Sequence, residues 1–332
     1  VCVAMMSYVP GVVLLLIISV ASTFLAEMLP NYIGRVFIAV LLGIIINNMF
    51  SLNNKIFGPG VKLGLNKFLK IAIILLGAEV SFAELLKIGG KGLIVVISVI
   101  VLAFILTFLL GDVFKVSLRK KLLIAVGLSI CGNTAIVTTA PLIDAEEEEI
   151  VMAVGIVTLF GVLAVFVFPL VGFALHMADL HFGAWAGTGV YDTSQVVAAG
   201  FAYSEESGRV ATIIKLTRNV MMVPVIFSVG YFYRRNKKAT GGKVRVIDVF
   251  PMFILGFLLM SLINSIGLLS PAASSYLVAA AKFLIVLALS GIGLSVKIAD
   301  LKKLGWTPFV LGFSIASLIA ISSYFMNYYI WS

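Results

Sequence analysis

Cysteine is nearly missing: the 332 residues hold two, Cys2 and Cys131, so neither a disulfide framework nor a cysteine-ligated metal cluster is available. Histidine is as scarce. His176 and His181 flank one connection, where solvated side chains are expected, and no HExxH or GxSxG pattern occurs. An intramembrane hydrolase would therefore have no metal set and no activated nucleophile, and the chain is not expected to be an enzyme or to carry a cofactor. Charge is sparse too, at 12% of residues. The net +9 does not point to nucleic acid, because Lys and Arg fall in short connections between apolar runs, where the positive-inside rule places them.

What is present is hydrophobicity, 61% of residues, in runs of about 20 residues, enough to cross a hydrocarbon core roughly 30 Å thick. The expected fold class is an all-α polytopic membrane protein with about 11 transmembrane segments, residues 1–332 forming one transporter domain. The segments are Val12–Leu29, Tyr32–Phe50, Leu65–Phe82, Gly92–Gly111, Leu122–Ile143, Ile150–Leu175, Thr188–Tyr203, Val210–Tyr233, Val249–Gly267, Pro271–Val296 and Pro308–Ile330. The first lacks a basic n-region and a cleavage site, so it is expected to be retained. If all cross, the basic connections at Lys55/Lys62/Lys67, Lys115/Arg119/Lys120/Lys121, Arg234–Lys238 and Lys297/Lys302/Lys303 share one side. That side is then the inside of a bacterial cytoplasmic (inner) membrane, with the N-terminus inside and the C-terminus outside. Glu146–Glu149 becomes an external, solvated turn. The seventh segment is too short for a full helix across the core and must be partly extended or broken if it crosses.

Residues 32–111 and 249–330 read as candidate inverted-repeat units. Each has an apolar helix ending in Asn47-Asn48 or Asn264-Ser265, then a helix carrying Gly77-Ala78-Glu79-Val80-Ser81 or Gly291-Ile292-Gly293-Leu294-Ser295. A basic turn follows, Leu85-Leu86-Lys87 or Leu301-Lys302-Lys303. Inverted repeats mark many secondary transporters. Residues 122–233 supply the candidate core with discontinuous helices, although segments five and seven, both running inside to outside, do not pair by inversion.

The residues that can carry chemistry cluster in that core. Gly127–Ala135 puts small and polar residues mid-span, which is expected only where protein or water surrounds a break. If the chain unwinds near Cys131-Gly132, Asn133 or Thr134 can cap a second half-helix whose positive end suits an anion. Alternatively, Gly127, Ser129 and Gly132 simply permit close helix packing. Lys215 and Arg218 share a helix face deep in the eighth segment, where ionisable groups are functional candidates, although Lys215 can snorkel and Arg218 can form a structural ion pair with Asp192. Asp192 can be that counter-ion or bind a coupling H⁺ or Na⁺, and Gln195 suits an oxyanion. Glu79 and Lys282 can pair with each other or line the path.

Gly127–Gly132, Ala140-Pro141, Thr158–Gly161, Gln195–Gly200, Lys215 and Arg218, in that order, resemble the YeiH-type sulfate exporter family, from about Phe57–Gly60 to Lys302-Lys303. The resemblance implies a transporter of the cation/proton antiporter and anion transporter class, with panel and core domains. Tyr191-Asp192 stands where that family usually has His-Glu, and Glu79 stands where a basic residue is usual. Together the residues predict a secondary transporter for a small anion, an oxyanion such as sulfate or a sulfonate. Its contacts would be Ser129, Cys131, Gly132, Asn133, Thr134, Gln195, Lys215 and Arg218, with Asp192 and Glu79 as coupling or counter-ion groups. The alternatives are a Na⁺- or H⁺-coupled cation exchanger and, more remotely, an intramembrane enzyme or a receptor. The expected partners are the anion and the lipid bilayer, with a homodimer allowed.

Overall fold

The computed structural model describes residues 6–28, 34–237, 245–296 and 305–331. Cys2, Lys238, Lys297, Lys302 and Lys303, with the expectations attached to them, lie outside the described residues. All regular structure described is helical. Six helices among the described residues are long and apolar enough to cross a membrane: Val9–Met28, Phe82–Val113, Glu147–Ala174, Glu205–Arg235, Pro271–Ser295 and Trp306–Trp331.

In chain order the helices are α1 Val9–Met28, α2 Arg35–Phe50, α3 Asn54–Leu63, α4 Leu69–Leu76, α5 Phe82–Val113, α6 Leu118–Ser129, α7 Asn133–Thr139 and α8 Glu147–Ala174. They continue with α9 Asp179–Gly189, α10 Thr193–Tyr203, α11 Glu205–Val220, α12 Met222–Lys237, α13 Phe253–Ser265, α14 Pro271–Ser295 and α15 Trp306–Trp331. Serine caps fix where several begin: the hydroxyls of Ser81, Ser117, Ser204 and Ser270 accept from the backbone N–H groups of Glu84, Lys120, Ser207 and Ala273. Each satisfies a first-turn donor that has no partner within its helix.

One part of the bundle is built from α1 to α4, α13 and α14. Here α2 lies along α14 at backbone contact, since a Cβ on Gly293 would sit 2.1 Å from Val40 O and one on Gly43 2.6 Å from Ser290 O. Such close approach lets apolar helices associate where lipid removes the hydrophobic drive. At the end of α2, Asn47 and Asn48 both donate to Val296 O, just past α14. At the end of α13 the pattern recurs with serines. Ser261 Oγ donates to Val80 O at 2.8 Å, and the Phe82 N–H donates to Ser265 Oγ at 2.7 Å.

The other part, α5 to α12 with α15, corrects two expectations. Segment five folds back on itself, and segment seven is the return limb of a hairpin that begins at Asp179, so neither is one straight helix. In the first hairpin, α6 enters and α7 returns. Ser117 Oγ donates to Glu149 Oε1, and Arg119 and Lys120 pair with Glu146 and Glu148, both at 3.1 Å, so the chain leaves where it entered. In the second, α9 enters and α10 returns. Tyr203 OH donates to Met177 O, Tyr203 stacks on Phe182 at 4.0 Å, and Ser204 Oγ donates to Asp179 Oδ1. With 11 residues in each of α9 and α10, a limb is roughly 16 Å long, about half a hydrocarbon core.

Glu146–Glu149 is consequently not on the side opposite Lys115–Lys121. It stands beside them, at what we call the basic end, with Arg119 also donating to Tyr233 OH at the close of α12. Because α8 runs from the base of the first hairpin to the base of the second, the hairpins enter from opposite ends and meet at their tips.

Candidate functional site

At the first tip α6 stops at Ser129, and Gly132, with φ 67 and ψ −126, is the residue before α7. That conformation is open essentially only to glycine. Asn133 therefore does not cap α7, contrary to the sequence expectation. It exchanges hydrogen bonds with Thr158 on α8 instead (Nδ2 to Oγ1 3.2 Å). Gly132→Ala is expected to destabilise the protein by about 2 kcal/mol through backbone strain. A Cβ would also lie 3.2 Å from Val157 Cγ1. Thermal denaturation of the purified protein checks this, and an unchanged midpoint would show that the turn relaxes.

At the second tip Asp192 caps α10. Its Oδ1 accepts from Ser194 N at 2.9 Å and Ser194 Oγ at 2.6 Å, while Gln195 Oε1 accepts from the Asp192 N–H at 3.3 Å. The reciprocal pair is a capping box. Gln195 Nε2 also reaches Thr158 O at 3.5 Å. The space for it is the missing side chain of Gly161, where a Cβ would lie 1.9 Å from Gln195 Oε1.

Behind the tips, α11 presents Lys215 and Arg218, both with no exposed surface. Lys215 Nζ donates to Ile130 O at 2.5 Å and to Tyr191 O, one carbonyl from each tip. Arg218 spreads further. Nε donates to Ser129 O at 2.6 Å, Nη1 to Thr188 O and Val190 O at 2.9 and 2.8 Å, and Nη2 to Leu128 O. Those carbonyls are the negative C-terminal ends of α6 and α9. An Arg218–Asp192 ion pair is not formed: among the described residues no salt bridge involves Arg218 or Lys215, and backbone carbonyls accept from both side chains.

In front of the tips lies a cavity of about 820 Å³, with Cys131, Asn133, Thr134, Asp192 and Gln195 on one wall. Ser129, Gly132, Lys215 and Arg218 are not among the residues lining it; they form the scaffold behind. Cys131 Sγ lies 3.0 Å from Met222 Sδ. Glu79 is elsewhere, 3.4 Å from Lys282 at the end away from the basic connections. Thr158, Asn219, Asn66 and Lys70 also line the cavity and were not picked out as site residues from sequence. Asn219 follows Arg218 directly, and Lys70 is a charge inside an apolar segment; either was a usable signal.

The class of protein is thereby set: a multi-helix membrane protein in which two opposed hairpins meet beside a cavity that their polar tips help to line. The family described as Conserved hypothetical protein 698 matches residues 10–312. A UPF0324 membrane protein of Clostridium tetani is 36% identical over 334 residues, covering 96% of each chain. Others from Streptococcus agalactiae and Bartonella henselae are 33% and 34% identical over 312 and 323 residues, covering 92% and 94% of this chain and 92% of each of theirs. The chain belongs to the UPF0324 membrane protein family.

Proposed function

We propose that this protein is a secondary transporter that moves a small anion, an oxyanion or a sulfonate, past the paired hairpin tips. The observation that carries the reading is the pair of buried cations, Lys215 and Arg218, fixed on the tip carbonyls without a carboxylate partner. The first turn of α10 opens onto the cavity, with Thr193 and Ser194 in its lining, and the positive end of a helix favours an anion. A pocket of that sign, with amide and hydroxyl groups on its tip wall, favours an anion.

The architecture supports carriage rather than catalysis. The Asn47/Asn48-to-Val296 and Ser261/Ser265-to-Val80/Phe82 hydrogen bonds, at opposite ends of the bundle, support an inverted repeat of 32–111 on 249–330. With the basic end cytoplasmic by the positive-inside rule, nine crossings and two re-entrant hairpins replace eleven crossings, and the N-terminus stays inside with the C-terminus outside. In an elevator-like movement the hairpin body slides against the body of α1 to α4, α13 and α14.

Proteoliposomes loaded with a panel of labelled anions test the proposal. Asn133→Ala, removing one neutral donor from a charged solute, is expected to lower flux about tenfold. Asp192→Asn keeps the helix cap, so anion-for-anion exchange should persist while pH-driven accumulation is lost. Flux that runs on a sodium or proton gradient without added anion, and stops in Asp192→Asn, would replace the anion carrier with a cation exchanger. Asp192 favours that competitor in one respect: it is the carboxylate that lines the cavity.

A further inference from the structure

The wall opposite the tips is apolar along Leu65, Leu69 and Ile73, with one cation set into it, Lys70. Its side chain is exposed and its Nζ stands 5.9 Å from the ring centroid of Phe253, which lines the same cavity. No carboxylate lies within salt-bridge distance of it among the described residues, and no other Lys or Arg lines this cavity. An unpaired ammonium in a cavity with low-dielectric walls concentrates anions there. Lys70 also belongs to a different body from the tips. It is carried on α4, in the part held by α2, α13 and α14, so it does not travel with α7 and α10 if the hairpins move.

We propose that Lys70 is the capture and release residue for the anion at the basic end: it completes the site from the facing wall only while the tips are exposed to that end. This rests on the anion-carrier reading above. It makes the transporter functionally asymmetric. Lys70 contributes to binding from the basic end and not from the other, whereas Asn133 and Gln195 contribute from both.

The test uses the full-length protein in detergent, with thermal stabilisation by sulfate, thiosulfate, isethionate, acetate and citrate titrated at constant ionic strength. At least one of these anions should stabilise the wild type. Lys70→Gln should raise its half-stabilising concentration about fivefold, the loss of one close cation in a wet site, and Lys70→Arg should restore it. Coinciding wild-type and Lys70→Gln curves would show a lysine that snorkels to lipid headgroups, and the proposal fails. If none of the five anions stabilises the wild type, the anion reading itself fails and takes this inference with it. In proteoliposomes, Lys70→Gln should raise KM for the stabilising anion entering from the basic end alone. An equal rise from both faces, or none, overturns the assignment, since a packing defect does not distinguish faces and is not rescued by arginine.

Discussion

Arg218→Leu is expected to cost about 3 to 5 kcal/mol, the range for breaking a buried charged network by removing one member, and to be the most damaging single substitution in the hairpin region. The guanidinium satisfies four carbonyls, two from each tip: Leu128 and Ser129, and Thr188 and Val190. Leucine fills the volume yet leaves the ends of α6 and α9 facing each other with like partial charge and no donor. Each buried acceptor left bare carries a desolvation penalty of its own. Set against the few kcal/mol that separate folded from unfolded states, the loss should appear as a poor monodisperse yield and a much lower thermal midpoint. Arg218→Lys should be intermediate, because an ammonium lacks the planar fork that reaches both tips. A wild-type midpoint for Arg218→Leu would show that water or a neighbouring donor serves these carbonyls instead.

The same network marks the limit of what was legible in sequence. Composition and run length gave the helical membrane class, because a hydrocarbon core imposes a length on any helix that crosses it. The polar interruptions at Gly127–Ala135 and Asp192–Gln195 marked the tips for the same reason: freed backbone is tolerated only where protein or a cavity satisfies it. The fold-back was not readable. Leu122–Ile143 has the length of one span whether it runs straight or doubles over, and hydropathy is blind to direction. What decides is Gly132 at positive φ together with pairs such as Arg119–Glu146 that join the two ends of the hairpin. Charge counting then erred by consequence, placing Glu146–Glu149 across the membrane from its own partners. Arg218 stood out in sequence as an ionisable group at depth; expected to contact the solute, it instead holds the tip carbonyls and is not among the residues lining the cavity. Lys70 offered a signal as a charge inside an apolar segment, but a lysine there also suits snorkelling, and only the folded chain places it on the cavity wall.

Glu205→Gln is expected to shift the protein toward the state open at the end away from the basic connections. At that end the two bodies are tied by charge. Glu205, at the start of α11 in the hairpin body, pairs with Arg35 of α2 at 3.2 Å and with Lys282 of α14 at 2.8 Å, while Lys282 also meets Glu79 at 3.4 Å. Arg209 bridges Glu84 and Glu206 beside them, at 3.3 and 2.5 Å. At the basic end the same bodies part around the cavity. Each pair is partly exposed and worth at most about 1 kcal/mol, but Glu205 holds two, and its neutralisation removes both from one conformation only. A bias of about 1 to 2 kcal/mol changes a two-state ratio roughly five- to thirtyfold. Two single-cysteine reporters on a background without Cys2 and Cys131 read it. Thr134→Cys faces the basic-end cavity, and Val286→Cys lines a second cavity of about 550 Å³ beside Arg35, Glu205 and Lys282. With Glu205→Gln, labelling by a membrane-impermeant thiol reagent should slow at position 134 and quicken at position 286, and high salt should mimic the substitution because it screens exposed pairs. Rates that rise together at both positions would indicate loosening without directed movement; unchanged rates would mean that helix packing between α2 and α14 and the hairpin body, rather than charge, holds the far end shut.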